Sequence, residues 1–141
     1  MTTDKQAVVG WKYIKNNVDV SNIKNFEKLT SYILDEKLIP FILSHNNGRP
    51  IKNELMEEKS GKEFIFDKLL SFNEDDVENV FTTYKSLQGS IDENLIPLAI
   101  DPSGNYFCLA RNSKNVIFYW HETGLEYDLN LPLLSLIDKL V

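Results

Sequence analysis

The fold is decided by the stretch Leu95-Ile96-Pro97-Leu98-Ala99-Ile100-Asp101-Pro102-Ser103-Gly104-Asn105-Tyr106-Phe107-Cys108-Leu109-Ala110-Arg111-Asn112-Ser113-Lys114-Asn115-Val116-Ile117-Phe118-Tyr119-Trp120-His121. Here the apolar residues stop recurring at helical spacing and fall into short blocks between turn residues, the pattern of strands. The spacing predicts strands over Leu95–Ile100, Asn105–Ala110 and Val116–His121. Asp101, Pro102 and Gly104 occupy the first, second and fourth places of a type I turn, and Arg111–Asn115 forms the second link. Parallel neighbours need a crossover of a dozen or more residues, so links this short make the strands an antiparallel meander. A fourth segment around Leu125–Leu129 extends it.

Working outward, helices flank this sheet. Ser21 and Asn22 can cap a helix through Leu34, in which Ile23, Phe26, Leu29, Tyr32 and Ile33 keep the helical period. Asp35 can cap a second through Asn46, with Gly48 available for a left-handed close. Pro40 falls inside that segment, so the helix either kinks there or starts later. Asn73 is a candidate cap for a third helix carrying Val77, Val80, Phe81, Tyr84 and Leu87, and Gly89 ends it. Pro132 opens a C-terminal helix with Leu133, Leu134, Ile137 and Leu140. Trp11 and Tyr13 suggest a short strand, and the charged run Ile51–Lys62 reads as an exposed loop. The expected architecture is one α+β domain over residues 11–141, preceded by a loose arm at 1–10. A mainly antiparallel sheet of four to six strands packs on N-terminal, middle and C-terminal helices.

With 141 residues, 43% of them hydrophobic and 26% charged, the composition is that of a globular domain. No apolar run approaches the length of a membrane span, and the first ten residues lack the apolar core of a signal peptide, so a cytoplasmic location is expected. Charge is unevenly divided. Residues 1–70 carry 11 Lys/Arg against 10 Asp/Glu, and residues 71–141 carry 4 against 11. An acidic half repels nucleic acid and anionic lipid and attracts a basic partner.

Signatures of catalysis are absent: no phosphate-binding glycine loop, no GxSxG elbow, no HExxH helix. Asp101, Asn105, His121 and Glu122 near strand ends, with His45-Asn46-Asn47 elsewhere, could hold a divalent cation and activate water. The same residues are what turns and strand exits select. Cys108 alternates with Tyr106 and Ala110 on a strand, and packing explains a lone cysteine there better than nucleophilic attack. One cysteine and two histidines do not make the usual structural zinc site, so no cofactor is expected. Phe118, Tyr119 and Trp120 alternate in direction, so they cannot form one base-stacking platform, and which of them faces the core is open.

Four segments in order carry a family resemblance: Leu34–Leu38 with Phe41–Pro50, Leu69–Asn73, Leu95–Leu109 and Val116–Thr123. The second half of the first, Asn46-Asn47-Gly48-Arg49-Pro50, is similar to an NGG(R)P turn, and the whole resembles the SUKH superfamily. That superfamily includes the yeast cell-wall synthesis regulator and many bacterial immunity proteins. Departures are Leu34-Asp35 in place of Leu-Pro, Asn47 for the second glycine, and Gly104-Asn105 for Gly-Asp. The resemblance implies an α+β binding protein without catalysis that neutralises a cognate polymorphic toxin by occluding its effector domain. A non-catalytic scaffold for signalling or envelope-synthesis partners is the alternative.

A basic toxin domain, a nuclease for instance, would meet an acidic surface drawn from Glu74, Asp75, Asp76, Asp92, Glu93, Asp101, Glu122 and Glu126. The partner is then a protein, with no nucleic acid or membrane involved and the chain a monomer or weak dimer. Reversing Asp75, Asp76 and Glu78 is expected to slow capture without unfolding the chain.

Overall fold

The meander beginning at Leu95 forms the centre of a five-stranded antiparallel sheet. The computed structural model describes residues 8–141, so the arm expected at 1–10 lies outside the described residues at positions 1–7. In chain order the elements are β1 (Trp11–Lys12), α1 (Val20–Thr30), α2 (Leu38–His45), β2 (Arg49–Pro50), β3 (Glu54–Met56), β4 (Glu63–Ile65), β5 (Lys68–Leu69), α3 (Val80–Leu87), β6 (Leu95–Ile100), β7 (Tyr106–Ala110), β8 (Ser113–Tyr119), β9 (Glu126–Asp128) and α4 (Leu133–Asp138). The main sheet runs β5-β6-β7-β8-β9, while β1 pairs with β2 and β3 with β4 in two small antiparallel ladders. Pro97 lies in a central strand where its missing N–H would break a ladder, and the register with β7 shifts just there, between Pro97 and Ala99.

One face of the main sheet builds the core. Ile96, Leu98, Phe107, Leu109, Val116 and Phe118 are buried in one cluster with residues of all four helices, among them Phe26, Ile42, Phe81 and Leu136. Alternate residues turn to the other face, where Cys108, Ala110 and Tyr119 form a smaller cluster with Leu95 and Ile91. Cys108 is fully buried, and burial pushes its thiol well above the usual value, as packing rather than reactivity requires.

Several boundaries differ from the sequence expectation. Asp19, not Ser21, caps α1: its carboxylate accepts the Ser21 N–H at 2.9 Å, and Asn22 Oδ1 accepts the Asp19 N–H at 2.9 Å. The helix stops at Thr30 because Ser31 turns left-handed, with φ 55°. Since α2 starts at Leu38, Pro40 sits in its first turn, where an N–H has no helical partner anyway. Asn47 takes the left-handed conformation expected of Gly48, with φ 66°. Gly48 instead supplies space, since a Cβ there would stand 2.8 Å from the His45 carbonyl oxygen and 2.9 Å from Trp11 Cε3.

The third helix also begins late. Ser71 N–H donates to Glu78 O at 2.9 Å and Val80 N–H to Ser71 O at 2.8 Å, which holds the chain extended across 78–80. Asn79 therefore caps α3, accepting the Thr82 N–H at 2.8 Å, and Glu74, Asp75 and Asp76 precede the helix instead of occupying its first turn. Val77, expected on its apolar face, is exposed.

The charged run Ile51–Lys62 is not all loop. Leu55 is buried between exposed Glu54 and Met56, a strand alternation too short to stand out among charges. After it, Glu57 is covered and accepts hydrogen bonds from Ser60 Oγ (2.7 Å), Ser60 N (2.8 Å), Lys59 N (3.3 Å) and the Tyr127 hydroxyl (2.7 Å). These bonds, those of Ser60 foremost, lower its pKa from 4.5 to about 2. Because the folded value lies below the unfolded one, the contribution is complete above about pH 4.5 and is lost as pH falls toward 2. Glu57→Gln is expected to flatten the pH dependence of urea unfolding across that window, and an unchanged profile would refute the clasp between Glu57 and Tyr127.

Asn46 joins the N-terminal segment to the sheet side of the molecule. Almost wholly buried, it accepts the Phe72 N–H at 2.8 Å through Oδ1 and donates to Ser71 Oγ at 3.1 Å through Nδ2. Asn46→Ala strands the Phe72 amide, for which ~1–3 kcal/mol of destabilisation is expected in equilibrium denaturation.

A candidate protein-binding face

The register of β7, β8 and β9 decides what the outer face presents. Tyr106 pairs with Tyr119 and Cys108 with Ile117, while Tyr119 pairs with Glu126 and Ile117 with Asp128. Residues opposite each other in a ladder share a face, so Glu126 and Asp128 stand beside Tyr119 and Ile117. Tyr106 and Ile117 are half-buried, and Glu126 and Asp128 are exposed. The turn after α3 closes the other side: Ile91 covers part of this face, and Asp92 and Glu93 follow it at the surface. That turn is fixed, since Arg111 N–H donates to Asn94 O at 2.9 Å, Arg111 Nε to Glu93 O at 2.9 Å and Asn112 N–H to Asn94 Oδ1 at 3.0 Å.

Asp92 is close enough to act on Glu126. Desolvation first, then the charge of Asp92, raises the Glu126 pKa above the usual carboxylate value. A carboxylate held against a like charge gains most from an approaching cation. The result is a partly apolar centre, Tyr106 and Ile117, edged by Asp92, Glu126 and Asp128, the chemical make-up of a protein contact with a charged rim.

The other expected site residues are placed apart from this arrangement or are already engaged. Glu74 and Asp75 are exposed in the turn before α3. The Asp76 side chain is 9% exposed and bonds to Lys15 Nζ at 3.1 Å, to Ser71 Oγ at 2.5 Å and to Asn17 Nδ2 at 3.2 Å. Burial opposes its ionisation, but the bonds from Ser71, Asn17 and Lys15 hold its pKa below the ordinary value. Glu78 pairs with Lys68 at 3.2 Å. Reversing Asp75, Asp76 and Glu78 together therefore breaks internal pairs, contrary to the expectation that stability would be spared. Asp101 accepts the Ser103 and Asn105 N–H groups at 2.9 and 2.8 Å, and Glu122 lies exposed in the β8–β9 turn.

The residues weighed for metal chemistry serve the fold. Asn105 Oδ1 accepts the His121 N–H at 3.1 Å, closing the turn that Asp101 organises. His45 stacks on Phe41 at 4.2 Å, and its Nδ1 lies 2.9 Å from the Phe41 carbonyl oxygen; burial lowers its pKa, which favours the neutral ring. Among the described residues no group of three or more His, Cys, Asp or Glu side chains is placed to hold a metal ion. Trp120 points to the core side, 4.9 Å from Phe118 and 6.3 Å from Phe64 between ring centroids, with Lys62 Nζ 5.4 Å from its ring centroid. Asp128, Tyr106 and Ile117 escaped the sequence reading as surface residues, although the alternation Glu126-Tyr127-Asp128 already put both acids on one side of a strand.

The sequence model of the SMI1 / KNR4 family (SUKH-1) matches residues 17–132. The chain belongs to the SUKH-1 family. No curated protein matches it. The matched span runs from just before α1 of this SUKH-1 chain to the N-cap of α4, and it contains the five-stranded sheet with its acidic outer face. No helix among the described residues is long and apolar enough to cross a membrane.

Proposed function

We propose that this SUKH-1 protein is an immunity protein, which binds a cognate polymorphic toxin in the cytoplasm and neutralises it by covering its basic effector domain, performing no catalysis itself. The observation that carries this reading is the outer face of the main sheet. There Glu126, Asp128 and Asp92 ring an incompletely covered Tyr106 and Ile117. An acidic rim speeds encounter with a basic groove of the kind nucleases have, and the apolar centre slows release. Family membership supports a protein partner.

The test is rescue. The chain is co-expressed in a sensitive bacterial host with the C-terminal effector domain encoded by the adjacent gene. Survival, together with recovery of the two proteins as one complex, is the expected result. Cell death despite good expression of the chain would overturn immunity and leave the regulatory scaffold as the better reading.

A further inference from the structure

In this acidic protein, three cations converge on one surface depression. The cavity, about 640 Å3 in volume and open to solvent, is lined by Tyr13, Ile14, Lys15, Asn47, Arg49 and Lys68. Its cations come from three separate places: the segment after β1, strand β2 and strand β5. Among the described residues no carboxylate lines it. Each cation is paired with an acid outside the lining: Lys15 with Asp76 at 3.1 Å, Arg49 with Asp67 at 2.6 Å and Lys68 with Glu78 at 3.2 Å. These pairs fix the cations without using up their donors. The Lys68 ammonium has three N–H groups and gives two, to Glu78 and, at 2.7 Å, to Asn47 Oδ1. Arg49 has five and meets Asp67 through Nη1.

Lys68 is the costly member. Its side chain is only 7% exposed, and a buried ammonium is retained where paired and hydrogen-bonded. The backbone around it is also unusual. Tyr13 (φ 62°) and Asn47 (φ 66°) are both left-handed without being glycine, and Asn47 Nδ2 donates to Tyr13 O at 3.0 Å, locking the two together. Asparagine tolerates that region, whereas for tyrosine it is strained, and strain of this kind gathers at ligand sites. Its effect is to hold the Tyr13 ring, 69% exposed, at the lip of a cationic hollow.

We propose that this depression binds a phosphoryl group, with Lys15, Arg49 and Lys68 donating to its oxygens. Three positive groups from three directions suit a tetrahedral dianion better than a single carboxylate, and guanidinium matches phosphate geometry through paired N–H groups. The group can arrive as inorganic phosphate or on an organic phosphomonoester whose remainder lies on Tyr13.

The experiment is a two-dimensional amide NMR titration of the full chain with inorganic phosphate and with phenyl phosphate, at constant ionic strength against chloride. Saturable shifts confined to residues 13–15, 47–49 and 68 are expected, weakened about tenfold or more in the Lys15→Gln/Arg49→Gln variant. The substitutions break the pairs with Asp76 and Asp67, so a thermal melt checks that the variant is folded before binding is compared. Tighter binding of phenyl phosphate, lost in Tyr13→Ala, identifies an ester as the natural form; equal binding of both identifies free phosphate. Either upholds the site. Linear shifts no larger than those from chloride, or saturable binding unaffected by the double substitution, would overturn it. The outcome does not depend on toxin rescue, so the two proposals fail separately.

Discussion

Replacing Asp92, Glu126 and Asp128 together by lysine is expected to slow association with a basic effector domain by ~10–10³-fold at low ionic strength. Glu126 and Asp128 lie exposed on one sheet face, and Asp92 is exposed in the turn beside it, where its charge adds to desolvation in raising the Glu126 pKa. Reversal therefore changes the sign of the field that an approaching cationic surface meets. Stopped-flow association with the toxin domain reads the effect directly. The difference should shrink near 0.15 M salt, where the screening length is about 8 Å. These side chains make no ion pair within the described residues, but Asp92 Oδ1 accepts the Asn94 N–H at 2.8 Å and Asp128 Oδ1 the Asn130 N–H at 2.7 Å. The triple variant is therefore also expected to lose ~0.5–1.5 kcal/mol per turn bond, and a thermal melt checks its fold before rates are compared. An association rate equal to that of the unsubstituted chain at low salt would remove this face as the point of first contact.

Phe118→Ala is expected to destabilise the fold by ~3–5 kcal/mol, measured as a lowered urea midpoint at unchanged slope. Phe118 is buried on β8, with the rings of Phe64, Phe107 and Trp120 each 4.9 Å away between centroids. Truncation leaves a cavity bordered by three rings, which the sheet backbone prevents from closing. A typical domain has only about 5–15 kcal/mol in total, so this one change consumes much of the margin. Trp120→Ala should cost less, because that ring is half-exposed at the edge of the same stack. A loss below ~1 kcal/mol for Phe118→Ala would mean that the core is not seated on this side of the sheet.

The sheet was legible because its strands carry long alternating or continuous apolar blocks and its links carry residues with fixed turn preferences, as Asp101-Pro102-Ser103-Gly104 does. The helices were legible as apolar periods but not at their ends. Asn73 and Asn79 are chemically identical candidates for a cap, and only the long-range bonds between Ser71 and residues 78–80 choose the second. Gly48 and Asn47 exchanged their expected roles because the close approach of Trp11 to Gly48 is a tertiary fact that no local pattern contains. For the same reason the acids could be counted but not sorted. Whether Asp76 is an internal ligand of Ser71 and Asn17 or a free surface charge depends on what folds against it.

The larger buried cluster lies on one side of the main sheet, and only the small group of Ile91, Leu95, Cys108, Ala110 and Tyr119 lies on the other, which has a consequence for how the surface can change. Glu126 is exposed and its side chain makes no hydrogen bond or ion pair among the described residues, so substitutions there should stay within about 0.5 kcal/mol, whereas Asp92 and Asp128 hold the Asn94 and Asn130 amides and Ile117 packs on the smaller cluster. Only part of this face is therefore free to change without touching the fold. Under the proposed immunity role, variation at an exposed, unbonded position such as Glu126 would retune partner choice while the larger cluster keeps the scaffold in place.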